Sequence, residues 1–267
     1  MAINVKLGEL AWPEIDALLE RDPVAVLPIG AFEQHGPHLP VMVDAHLVGT
    51  VAERAATRMA ESGGAIAVAP VIWTGYSPHH MDFPGTVSLD DTAFSAVAGQ
   101  AAQSLARHGF RRIALLNGHG GNANLLKNLV QTLRYDHGVS AVFASYWDFA
   151  LRELAAWRKS EPGGIMHACE METSLMLASR PDLVRMDAAK DHYLEKSNYL
   201  AADLLSGGPV AAAASFKELS PTGVIGAPTL ASRKRGEELL EAMVAAVAAF
   251  FEEFASWPLR DCREDKK

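Results

Sequence analysis

The sequence predicts one α/β domain spanning 1–267, with a mainly parallel β-sheet carrying helices on both faces. Three observations lead there. Short runs of unbroken apolar residues recur along the chain (VAVLPI, AIAVAPVI, RIALL), the pattern of strands covered on both sides. Stretches of helical periodicity separate them, which favours parallel pairing through crossovers. There is no internal repeat or low-complexity linker, and 267 residues at 49% hydrophobic and 21% charged suffice for one large core.

In chain order, Val24–Ile29 reads as the first buried strand. Residues 45–62 have helical periodicity and stop at Gly63-Gly64, a pair that ends helices. Residues 65–72 read as a second strand. Asp90 or Asp91 is placed to cap a helix running to His108 and closed by Gly109. Residues 112–116 form a third strand leading into NGHGGN, followed by a helix over 123–135 and a strand over 139–146. The stretch GGIMHACEMETSLMLASRPDLV is expected to be helical in its second half. Residues 190–230, rich in Ala, Gly, Pro and Ser, read as irregular, and 232–254 as a terminal amphipathic helix.

The net charge of −8 and the lack of a basic cluster argue against nucleic acid or an anionic membrane as partner. The run Arg233-Lys234-Arg235 reads as the opening of a solvated helix. MAINVKLGEL lacks the apolar core of a secretion signal, and the longest apolar run, 242–251, is too short to cross a bilayer. Cys169 and Cys262 lie far apart in unlike contexts, so no disulfide framework is expected. These features predict a cytoplasmic protein.

The chemistry concentrates in three segments. The first is GAFEQHGPHLPVMVDAH, residues 30–46, which holds Glu33, His35, His38, Asp44 and His46. Glu33 and His35 are two apart, so in extended chain both side chains point the same way. Gly36 and Pro37 then turn the backbone so that Asp44 can return to the same place. The second is NGHGGN, where His119 sits between glycines that let backbone approach a ligand. Both segments follow strand ends, and ligands of open α/β sheets bind outside the carboxyl ends of the strands. Mixed imidazole and carboxylate donors suit Zn²⁺, Mn²⁺ or Fe²⁺. The third, HACEMETS, supplies His167, Glu170 and Glu172. On a regular helix Glu170 would lie beside His167 and Glu172 would point elsewhere, whereas a helix beginning only near Glu172 leaves the geometry open.

The stretches GAFEQHGPHLPVMVDAH, SPHHMDFPGTVSL, NGHGGN, SYWDF and HACEMETSLML, in this order, resemble the creatininase (creatinine amidohydrolase) family over about Val24 to Asp187. The resemblance implies a binuclear metal hydrolase using two divalent ions, Zn²⁺ foremost with Mn²⁺ or Fe²⁺ as alternatives. It places Glu33, His35, Asp44 and His119 on the family's metal positions, with Asp44 as the bridging carboxylate. Glu172, rather than Glu170, matches the family's glutamate, and His167 matches its proton-transfer histidine. His38 and His46 then fall to supporting roles, and Glu170 to a partly exposed helix position. Trp147 matches an aromatic of the family's pocket. The segment 77–86 is expected to form a pocket wall. Ser77, His80 and Gly120 are the further candidates for substrate contact, with His79 and Asp82 beside them. A small-molecule amide and a homo-oligomer, with a hexamer as the family's form, follow from the same resemblance.

The sequence also departs from creatininase itself. There the residues after the metal histidine are His-Tyr-Glu-Asn, and the glutamate is a ligand; here they are His119-Gly120-Gly121-Asn122. Glu172 is the candidate to replace that ligand. Creatininase carries a Trp-Asp pair before its catalytic histidine, where this chain has Gly163-Gly164. Creatinine is therefore not the expected substrate, since polar recognition discriminates strongly. Three other readings are kept: a Cys169/His167 amidase, a hydrolase of a carbon–carbon bond in a cyclic polyol ketone, and a metal-stabilised binding protein without catalysis.

Overall fold

The structure is a computed structural model that describes residues 3–258. Its centre is a four-stranded sheet formed by β1 (Val24–Ile29), β2 (Ile66–Val68), β3 (Arg112–Asn117) and β4 (Ala141–Ser145), in the order β2-β1-β3-β4. All three pairings are parallel. Every residue of β1 and β3 is buried. Side chains alternate between faces along a strand, and the core divides accordingly. Val24, Val26, Ala114 and Leu116 join one cluster, whereas Ala25, Leu27, Ile29, Ile113 and Leu115 join the other. With both faces covered by helices, no polar alternation survives in these strands.

On the first face lie α2 (Val43–Glu61), α6 (Glu170–Ser179) and α8 (Arg233–Ser256). On the second lie α3 (Asp91–Arg107) and α4 (Ala123–Tyr135), with the short α1 (Trp12–Leu19) at its margin. Asp90 caps α3 by accepting a hydrogen bond from the Ala93 amide at 2.7 Å. The run 65–72 is strand only over Ile66–Val68; beyond Pro70 it touches the sheet again at the single Ile29–Ile72 bridge, because proline lacks the donor that a ladder needs. After α5 (Leu151–Trp157) a small antiparallel pair stands outside the main sheet, β5 (Ile165–His167) with β6 (Ile225–Gly226). Residues 190–230 are largely irregular, as expected, with one turn of helix α7 (Phe216–Leu219).

Two expectations need correction. Arg233 and Lys234 open α8 exposed, as expected, but Arg235 is not solvated: its side chain is only 16% exposed, ion-paired to Glu170 at 2.7 Å and laid over the Trp157 ring. Glu170 is fully buried rather than partly exposed, for it accepts bonds from the Lys159 and Ser160 amides as well. Cys169 is buried and free, while Cys262 lies outside the described residues. No helix among the described residues is long and apolar enough to cross a membrane.

Candidate metal centre

The carboxyl ends of β1 and β3 and the first turns of α2 and α6 converge on one point. The chain leaves β1 at Ile29, carries Glu33 and His35 outward, turns at Gly36 with φ +67°, and re-enters as α2 with Asp44 in its first turn. The exit of β3 passes so close to α2 that a Cβ on Gly118 would stand 2.8 Å from the Asp44 carbonyl oxygen. Glycine there lets His119 land against Asp44. The turn is held by Asn117, whose side-chain amide donates to the His119 carbonyl at 2.7 Å and whose oxygen accepts from the His119 amide at 3.2 Å. On the far side, His167 ends β5 and Ala168 adopts φ +51°. That left-handed residue breaks the path before α6 begins, so His167 and α6 are not on one helix. Glu172, in the first turn of α6, turns back to accept from the Cys169 amide at 3.2 Å and faces His35 at 3.6 Å. Glu170 points away, to Arg235.

Asp44 is the hub. Its Oδ1 lies 3.2 Å from His35 Nε2 and its Oδ2 lies 3.2 Å from His119 Nδ1. Glu33 Oε2 is 3.3 Å from His119 Nε2, while Oε1 is 3.1 Å from His80 Nε2 and 3.7 Å from His167 Nδ1. Three donor sets have ligand atoms within 4.8 Å of one another: Glu33 with His79 and His119, Glu33 with His35 and His167, and His35 with Asp44 and Glu172. Glu33, His35 and Asp44 are at most 3% exposed, His119 5% and Glu172 8%.

So many ionisable groups out of water perturb one another strongly. Burial raises the Glu33 carboxyl, but His119 and His80 beside it more than offset that and hold it well below its usual range. Burial lowers His35, and Asp44 with Glu172 outweigh it, holding the imidazole well above its ordinary value. His119 is lifted in the same way, by Glu33 and Asp44 against burial, to about 10. Burial together with His35 and His80 pushes His167 well below its ordinary value.

The donors fit a cation on an independent ground. Glu33 Oε1 and Asp44 Oδ2 are buried without a hydrogen bond of acceptable geometry among the described residues, although imidazoles stand within ion-pair distance. Buried carboxylate oxygens in that condition are costly unless a positive ion completes them. Imidazole and carboxylate in one enclosed cluster is the donor chemistry of a divalent transition metal.

The other sequence candidates divide. The Nε2–H of His167 donates to the Gln34 carbonyl at 2.7 Å, which leaves Nδ1 facing Glu33. His80 touches both Glu33 and the cavity over the site, and Trp147 and Gly120 line that cavity. Ser77 is fully buried and donates its hydroxyl proton to Glu33 Oε2 at 2.6 Å, so it holds a carboxylate rather than facing open space. His38 bonds Thr173 and His46 bonds Ser179, both apart from the three donor sets. Cys169 is fully buried, its thiol pushed well up by burial and by Glu172.

Sequence reasoning passed over Gln34 and gave His79 no place among the donors. Gln34 Nε2 donates to the Gly223 carbonyl at 3.1 Å and lies 2.9 Å from His80 Nδ1, tying the first segment to the chain after α7. Its position between Glu33 and His35 was a usable hint. His79 stacks on His119 at 5.5 Å between ring centroids; a neighbour in the His-His pair was the hint there.

The model of the family described as "Creatininase: Creatinine amidohydrolase" matches residues 8–251. The chain is 35% identical to the creatinine amidohydrolase of Pseudomonas putida, over 95% of this chain and 99% of that protein. It is 32% identical to the mycofactocin precursor peptide peptidase of Mycobacterium tuberculosis, over 89% and 88% respectively. With the 3-dehydro-scyllo-inosose hydrolase of Thermotoga maritima it shares 29% identity, over 90% and 80%. Among solved structures, creatininase with Mn superposes with a TM-score of 0.77 at 34% identity, covering 94% of this chain and 99% of that one. A Zn-Zn form of a creatininase mutant gives the same score, identity and coverage.

Proposed function

The chain belongs to the creatininase family, whose members are metal-dependent amidohydrolases, and from that premise we propose that it hydrolyses a C–N bond of a small amide at a two-metal site. Asp44 carries the proposal: one buried carboxylate reaches His35 with one oxygen and His119 with the other, the placement of a bridge between two ions. In this reading His35, Asp44 and Glu172, whose ligand atoms lie within 4.8 Å of one another, would hold one ion, and Glu33 and His119 with Asp44, as the resemblance implies, would hold the other. Three protein donors to each would leave room for water and substrate. Divalent ions bound here, Zn²⁺ first and Mn²⁺ or Fe²⁺ as alternatives, supply Lewis acidity and an acidified water.

The protein's own groups do the rest. His80 and Ser77 fix the Glu33 carboxylate from two sides. The Gln34 carbonyl takes the Nε2–H of His167 and so sets its tautomer, leaving Nδ1 to receive a proton and pass it to the departing nitrogen as the C–N bond breaks. Trp147 and Gly120 border the cavity where the substrate sits. The apolar residues Met166, Met171 and Leu204 line it too, which favours an amide over a cyclic polyol ketone. Cys169 lies outside that lining, which disfavours a thiol nucleophile. We further assign the protein to a cytoplasmic homo-oligomer, a hexamer as the resemblance implies, which light scattering would check.

The test is metal content of protein purified without chelator, beside Asp44→Ala, together with turnover on a panel of amides. About two ions per chain, falling sharply in the variant along with amide hydrolysis, is the expected result. Amide hydrolysis that persists after exhaustive chelation would overturn the proposal.

A further inference from the structure

A cavity of about 200 Å³ opens directly over the cluster. Its polar lining consists of Asp44, Glu172, four histidines and the glycine backbone of 118–121. Among the described residues no lysine or arginine lines it. The remaining lining is apolar, and two members, Leu204 and Phe216, come from the irregular segment 190–230 rather than from the sheet.

Phe216 is the best placed of these. Its ring stacks on His80 at 4.0 Å and 29°, meets His167 edge-on at 4.7 Å, and lies 5.6 Å from His79. It is half-buried, so part of the ring stays open. The residue is presented deliberately. Ser215 and Glu218 cap α7 reciprocally, at 2.7 and 3.3 Å, and the Leu219 carbonyl takes a bond from His192 at 2.8 Å. His192 is itself paired to Gly226 of β6, in the small sheet that bears His167. Phe216 is thus tied to the same unit as His167. Gly120 lines the same cavity, and an added Cβ there would meet nothing within 4 Å.

We infer that Phe216 is a substrate-positioning residue of this site, and that it selects amides carrying a flat or apolar substituent. The inference rests on the amide-hydrolase reading above. A flat group slid along an aromatic face gains dispersion and offset-stacking contacts.

Binding is the direct readout. Benzohydroxamate and acetohydroxamate share a metal-seeking head and differ in the ring. Titrated into the Mn²⁺-loaded protein, benzohydroxamate is expected to bind roughly tenfold tighter than acetohydroxamate. In Phe216→Ala the ratio of the two should fall towards one. Phe216→Leu, which keeps apolar bulk without the flat face, should fall between. Lys217→Ala, altered one residue away, should keep the wild-type ratio. Equal binding of the two ligands to wild type, or a ring preference that survives Phe216→Ala, would overturn the inference and leave the hydrolase reading standing. Loss of all hydroxamate binding in protein shown to carry metal would overturn both.

Discussion

Glu170 and Glu172 are two residues apart and both buried, yet the structure gives them opposite work, and a pair of substitutions separates the two. Glu170 accepts from the Lys159 and Ser160 amides at 3.1 and 3.0 Å and pairs with Arg235 at 2.7 Å. Arg235 also bonds the Trp157 carbonyl and covers its ring. Glu170→Gln keeps the volume, but its NH₂ group must face a donor on at least one side. Breaking a buried pair from one end costs about 3–5 kcal/mol, and the lower end applies because Arg235 keeps 16% of its surface and two other partners. For a chain of this length about 3 kcal/mol lowers the melting temperature by roughly 6–9 °C. Among the described residues Glu172 makes one hydrogen bond, to the Cys169 amide, and shares the His35 imidazole, at 3.6 Å, with Asp44, which keeps it at 3.2 Å, so Glu172→Gln should cost the metal-free protein less than Glu170→Gln, about 1–2 kcal/mol. Its effect should appear instead as lost metal. The assay is thermal unfolding of chelated samples beside elemental analysis of untreated ones. Glu170→Gln should melt early with full metal, and Glu172→Gln should melt nearly normally with depleted metal. The reverse pattern would refute the assignment of Glu172 and return Glu170 to the site.

Other outcomes follow from the same contacts. Without metal, His119 keeps its proton up to about pH 10 and His35 is raised in the same direction, so a metal must displace protons to bind. Apparent affinity should therefore tighten by about tenfold per pH unit for each proton displaced between about pH 6.5 and 10, and a chelator competition that gave a pH-independent affinity would contradict this. The sign for stability is opposite: the His119 proton stabilises the metal-free fold fully below about 6.5 and that contribution is lost as pH rises towards 10. A Cβ at Gly121 would stand 2.4 Å from His119 Nε2 and 2.6 Å from the Tyr76 carbonyl oxygen. Gly121→Ala should displace the imidazole and weaken metal binding on the order of 10–100-fold, read by the same competition, with far-UV circular dichroism unchanged. Cys169→Ala should cost about 1 kcal/mol of packing and leave amide turnover within about twofold of wild type at full metal content; abolished turnover would revive the thiol reading.

What could be read from the sequence was whatever rests on short-range pattern. The first strand, Val24–Ile29, and the helix over 123–135 have the bounds expected, since one is wholly apolar and the other opens after NGHGGN and stops before Gly138. That Glu33, His35, Asp44 and His119 gather at one place was legible because strand ends, turn residues and donor types coincide there. What stayed hidden depends on distant contacts. The β5–β6 pair is too short for periodicity and includes Gly226 at φ +144°. Helical spacing favoured Glu170 over Glu172 because nothing in HACEMETS declares the left-handed turn at Ala168. Arg235 looked solvated because Glu170 and Trp157 lie far off in sequence. Phe216 gave no warning, since its place over His80 depends on the path of some twenty irregular residues.

The site is therefore a seam. Glu33, His35, Asp44 and His119 belong to the carboxyl edge of the main sheet, whereas His167 and Glu172 come from a unit outside it, and the two halves meet through side chains that burial alone would drive apart. Burying carboxylates and imidazoles together opposes folding, and in the metal-free protein the opposition is relieved by protons held on His35 and His119. Those protons occupy the places where a cation would act. A divalent ion exchanged for them would supply more charge on the same donors and would complete the oxygens of Glu33 and Asp44 that no hydrogen bond reaches. Metal uptake and the joining of the two halves are then one equilibrium. The residues that gather at the proposed metal site are also those through which the sheet grips the segment carrying His167.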